Sequence, residues 1–111
     1  MSDPNQAVLP ASFVALYLAP GRSRPIAPRE VIAERYEFCD DLAQCLTEPA
    51  RTQQWELAVT EADVLERIHR GLLEAGSGLD AAEAGWVVCR LAELLDWPMP
   101  PWAVRDDAGR S

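Results

Sequence analysis

The chain has 111 residues, of which 49% are apolar and 25% charged, and it carries a net charge of −8. That length and composition bound it to one domain with one core, and exclude wholesale disorder. The charge opposes phosphate backbones and anionic membranes, so neither nucleic acid nor a membrane is an expected partner.

All ten basic side chains are arginine. A Walker-type phosphate loop needs its lysine and a Schiff-base enzyme needs a side-chain amine, so both chemistries are excluded. The cysteines Cys39, Cys45 and Cys89 are odd in number and lack CxxC spacing. Reduced thiols in a cytoplasmic protein suit that pattern better than a secreted disulfide framework. The apolar stretch 13–19 is too short to span a bilayer, and no positive charge precedes it, so no signal peptide is expected.

Residues 1–11 read as a disordered segment. At 12–19, Phe13, Leu16 and Tyr17 stand at i, i+3 and i+4, which fits a two-turn helix between Pro10 and Gly21. A short strand is the alternative, but no other stretch offers it a partner. Residues 20–28, with three prolines and a glycine, form a loop that Ile26 anchors to the core. A long helix begins near Pro28, with apolar residues at Val31, Ile32, Tyr36, Cys39, Leu42, Ala43 and Leu46. It either ends near Thr47 or kinks at Pro49 and runs on to about Leu57, with Trp55 and Leu57 extending the apolar stripe.

Thr60 caps the next helix, with Asp63 placed to reach back. Val64, Leu65, Ile68, Leu72 and Leu73 make its apolar face, and Asp63–Arg67 and Glu66–Arg70 are spaced as i,i+4 pairs. Gly76-Ser77-Gly78 ends it. The last helix has the strongest local start signal in the chain: Asp80 as cap, Glu83 three residues on, and a Leu79–Ala84 staple. Val87, Val88, Leu91, Leu94 and Leu95 give it a wide apolar face, and Pro98 ends it after Trp97. Residues 98–111 read as a Pro-rich flexible tail. The expected fold is all-α: a three-to-four-helix domain over 12–97, most simply a small antiparallel bundle.

No motif in the chain carries chemistry. His69 is the lone histidine and belongs to no HExxH pattern. A site built from His69, Glu66 and a cysteine is the enzyme or ligand-binding alternative, and a helical DNA-binding regulator is the other. Glu34, Glu37, Asp40 and Asp41 line one helix as a solvated face or a docking face for a basic partner. Neighbours at i and i+1 point to different sides, so Asp40 and Asp41 do not converge as an acid–base pair. Arg22, Arg24 and Arg29 gather in and after the Pro-rich loop, where guanidinium forks can pair internally or with a partner. Trp86, at the edge of its helix's stripe, caps the core rim or enters an interface; Arg90 is spaced for a cation–π contact with it. Trp102, in MPPW, is a docking anchor or folds back on its own bundle.

The run PGRSRPIAPREVIAERYEFCDDLAQ, followed by EADVLERIHRGLL and EAGWVVCRLAELLDWP, resembles a small proteobacterial family labelled "ATPase with chaperone activity". The resemblance spans roughly residues 10–98 and implies a role beside a chaperone machine. The residues conflict with the ATPase half of that label, since there is no GxxxxGK[ST] and no lysine. The expectation is thus a non-enzymatic adaptor or chaperone-like accessory that uses no cofactor or metal. It binds another protein or forms a homodimer, the latter because its last helix is apolar over more than one stripe. Candidate contact residues are Arg22, Arg24, Arg29, Trp86, Arg90, Trp97 and Trp102.

Overall fold

The computed structural model describes residues 9–18, 27–74, 76–99 and 102. Helix α1 (Ala11–Val14) passes into a 3-10 turn at Ala15–Tyr17, and α2 (Arg29–Cys45), α3 (Thr47–Leu57), α4 (Glu61–Leu72) and α5 (Ala81–Leu95) follow. No strand occurs among the described residues, so the domain is all-α as expected, and the region around Phe13 is helical. The assigned N-terminal segment, loop and tail lie largely outside the described residues.

The break between α2 and α3 falls at Leu46 rather than at Pro49. Leu46 keeps right-handed dihedrals (φ −84°, ψ −6°), and Thr47 Oγ1 donates to the Gln44 carbonyl at 2.9 Å. Pro49 is then the third residue of α3, a first-turn position where an amide N–H has no helical acceptor. The proline therefore starts a helix at no hydrogen-bond cost instead of kinking one.

Local signals set the remaining ends. Thr60 Oγ1 accepts from the Asp63 amide at 3.1 Å. Asp80 accepts from the Glu83 amide at 2.8 Å while the Glu83 carboxylate accepts from the Asp80 amide at 3.1 Å, closing the capping box. Helix α5 stops at Leu95, two residues before the expected end, because Asp96 turns left-handed (φ 57°). The Trp97 amide then reaches the Ala92 carbonyl at 2.9 Å and the Asp96 amide reaches that of Glu93 at 3.2 Å, the Schellman pattern. Of the two pairs expected on α4, Glu66–Arg70 closes at 3.6 Å; Asp63–Arg67 is not among the ion pairs of the described residues.

Helix α5 is the spine. Trp86 and Val87 join Phe13, Ile32, Cys39 and Ala43 in one cluster. Val88, Leu91, Ala92 and Leu95 join Ala50, Val64, Leu65 and Ile68 in a second. The breadth of apolar surface on α5 is thus consumed inside the chain. At 25 cal/mol per Å2, each large core side chain in these clusters contributes roughly 1.5–3 kcal/mol of burial free energy.

Candidate interaction surface

The candidate contact residues separate into three environments. Arg22 and Arg24 lie outside the described residues, while Arg29 is the exposed first residue of α2.

Trp86 is in the core rather than at its rim, with 6% of its surface exposed. Its ring meets Phe13 edge-on at 5.0 Å and Tyr36 at 5.8 Å, and its indole N–H donates to Ser12 Oγ at 3.0 Å. The wide face of α5 is what buries it: α1 and α2 close over the side that a single-stripe helix would leave wet. Arg90 is drawn to carboxylates instead of the indole, donating to Asp40 at 2.7 Å and Glu93 at 3.3 Å. Trp97 is half-buried against the α3–α4–α5 cluster. Trp102 stacks on His69 with centroids 4.9 Å apart and planes 28° apart, which is the fold-back arrangement. It keeps 43% of its surface exposed. Burial lowers the pKa of His69.

Sequence reasoning missed the polar node at Glu83. This carboxylate, 4% exposed, is the one buried charged residue among those described. Arg35 donates to it twice, from Nε at 2.8 Å and Nη2 at 2.7 Å. Tyr17 donates its hydroxyl at 2.9 Å, and the Asp80 amide completes the set at 3.1 Å. The paired guanidinium holds the Glu83 carboxyl below its ordinary range against the opposing effect of burial. Burial, and then the adjacent carboxylate, push the Tyr17 phenol up to about 12. Arg35 also donates to the Gly78 carbonyl and lies over the Phe38 ring, 5.0 Å from its centroid. Gly78 itself adopts φ 84°, which glycine reaches without strain. The node ties the 3-10 turn, α2, the α4–α5 loop and α5 together. Both Glu83 oxygens are occupied, so it is built to hold structure rather than to move a proton.

The outward face shows a different pattern. Trp55 is 86% exposed, and Leu57, Leu73, Phe38 and Val31 are each more than 40% exposed. Trp55 does not extend the apolar stripe as the spacing across Pro49 suggests. It lies five residues past buried Ala50, about 140° around the helix, with exposed Glu48, Arg51 and Thr52 on its side. Leu57 shares the Ala50 face but lies in the last turn, past the packed part of the core.

Cys39 is buried, Cys45 exposed and Cys89 half-buried; burial pushes the Cys39 thiol up to about 12, which makes it an inert packing residue. Among the described residues no group of His, Cys, Asp and Glu converges as a metal site, and no helix is long and apolar enough to cross a membrane. The chain matches no family model, and no curated protein or solved structure is similar to it.

Proposed function

We propose that this protein is a small recognition module, acting as an adaptor or chaperone-like accessory through its surface. The single observation behind this reading is Trp55, 86% exposed in the middle of the polar face of α3. An indole there contributes nothing to the core, and water is its poorest environment. Covering about 200 Å2 of ring releases on the order of 5 kcal/mol before the costs of association. Aromatic anchors of this kind, rimmed by polar groups, carry much of the energy of protein interfaces. Trp102, exposed on the far side of its stack with His69, is a second anchor of the same type.

The test is affinity capture from native extract with the wild-type chain, Trp55→Ala, Trp102→Ala and the Arg22→Ala/Arg24→Ala double variant. A partner recovered by wild type and lost with Trp55→Ala supports the reading. Identical recovery by wild type and Trp55→Ala, with unchanged circular dichroism, defeats it.

A further inference from the structure

Two rows of positions seven residues apart run along the outer edge of α2 and α3, and all their members are exposed. One row holds Glu34, Asp41, Glu48 and Trp55; the other includes Glu30 and Glu37. At the junction the last bond of α2 runs from the Leu46 amide to the Leu42 carbonyl at 3.0 Å and the first of α3 from the Ala50 amide to the Leu46 carbonyl at 2.9 Å, with Leu46 between them right-handed. The exposed positions keep helical spacing across it, from Asp41, Gln44 and Cys45 to Glu48 and Arg51. Five carboxylates fall within residues 30–48, four of them over about 17 Å of α2, and the exposed indole lies seven residues beyond the last of them.

None of these five carboxylates joins an ion pair with a described residue; the four pairs formed use Glu83, Glu66, Asp40 and Glu93. The chain brings Arg35 and Arg90 inward to Glu83 and Asp40, away from this edge, whose second row ends in Gln44 and Arg51.

We propose that this edge docks a basic amphipathic segment of another protein, its Lys and Arg side chains along the α2 carboxylates and an apolar side chain on Trp55. This rests on the recognition reading above and adds the chemistry of the partner. Charge complementarity selects the occupant. A second copy would bring five more carboxylates against these five, and a net charge of −8 repels it at longer range. A line of charges about 17 Å long on α2, continued by Glu48, fits a polypeptide rather than a point ion. Arg51, one turn before Trp55, disfavours a cation at that end and favours an apolar contact.

The probe is a fluorescein-labelled helical peptide of about 18 residues built from Lys and Leu, with a Glu/Leu peptide as control, read by anisotropy against the full chain. The Lys/Leu peptide should bind, the Glu/Leu peptide should not, and affinity should fall at least about tenfold between about 50 and 300 mM salt. Glu34→Gln/Asp41→Gln/Glu48→Gln and, separately, Trp55→Ala should each weaken binding about tenfold. The variant Asp63→Asn/Glu66→Gln/Glu74→Gln removes the same charge from α4 and the bend after it and should weaken binding much less. Equal losses from the two triple variants would reduce the effect to net charge and overturn the proposal, as would a Trp55-dependent dimer in light scattering. If the peptide does not bind while native capture remains Trp55-dependent, this inference falls and the recognition reading stands.

Discussion

Replacing Arg35 by Met keeps the aliphatic stem but removes two of the four hydrogen bonds to the Glu83 carboxylate. The side chains of the pair are unequally buried, 33% exposed for Arg35 and 5% for Glu83. That inequality decides which deletion costs more. Without Arg35 the carboxylate is left almost dry, with only the Tyr17 hydroxyl and the Asp80 amide as donors. Breaking a buried pair in this way costs about 3–5 kcal/mol. Glu83→Gln strands the guanidinium instead, but water reaches a third of it, and glutamine preserves the reach-back of the capping box. About 2 kcal/mol is expected for that change, within the range for hydrogen bonds to charged groups. Joining the two substitutions should restore part of the loss, since no uncompensated charge remains.

Urea unfolding of the four proteins at pH 7 measures the cycle. The pH dependence supplies an independent check. In the wild type the Glu83 pKa is lowered by Arg35, so its stabilisation is present above the unfolded carboxyl pKa of about 4.3 and is lost as pH falls through the folded value. In Arg35→Met the largest lowering influence is gone, and burial is opposed only by the Asp80 amide and the Tyr17 hydroxyl, so the folded pKa rises toward or past the unfolded value. The acid-side loss of stability seen in the wild type should then shrink or vanish in Arg35→Met. A Glu83→Gln loss equal to or larger than that of Arg35→Met, or an unchanged pH profile in Arg35→Met, would refute the account.

Ala58 is exposed and left-handed at φ 53°, so Ala58→Gly should stabilise by about 0.5–1 kcal/mol in urea, the relieved strain exceeding the added chain entropy. Asp80→Ala removes the α5 cap and should cost about 1 kcal/mol in the same assay. Because the Tyr17 phenol is raised from about 10 to about 12, the stability it confers is complete below pH 10. It should disappear between pH 10 and 12, and Tyr17→Phe should flatten that part of the stability profile. Trp55→Ala should shift the urea midpoint by no more than about 0.5 kcal/mol equivalent, since the ring touches little of the fold.

Signals that act within one turn were legible in the sequence. The Asp80/Glu83 box, the Thr60 cap and the apolar periods of α4 and α5 all follow from spacings of three and four. The second role of Glu83 was not, because its partners lie 48 and 66 residues away and no local pattern announces a long-range ion pair. Trp86 looked peripheral because one helix seen alone has one buried side, whereas α5 is covered from two. Of the two readings at the α2–α3 boundary, an end near Thr47 holds and a kink at Pro49 does not. A proline in a first turn breaks nothing, and the break lies three residues back at Leu46. A kink at Pro49 would put Trp55 on the α2 stripe, but counting from buried Ala50 puts it about 140° away, on the wet side of α3.

The division of charge across the molecule ties these points together. Its two tightest ion pairs, Arg35–Glu83 and Arg90–Asp40, fasten α2 to α5 from within. The carboxylates on the outer side of α2 take no part in that fastening, and neither does Trp55. Stability and surface chemistry are therefore carried by different residues of the same helix, one face turned to α5 and the other to water. The outer edge is free to be neutralised without unfolding the domain, because no described contact depends on it. A surface that the fold does not need is also one on which like charges gain nothing by gathering: five unpaired carboxylates along one edge repel one another at a small cost to the free chain. An approaching basic segment would turn that cost into attraction, and in this arrangement the energy of recognition comes from groups whose removal leaves the protein folded.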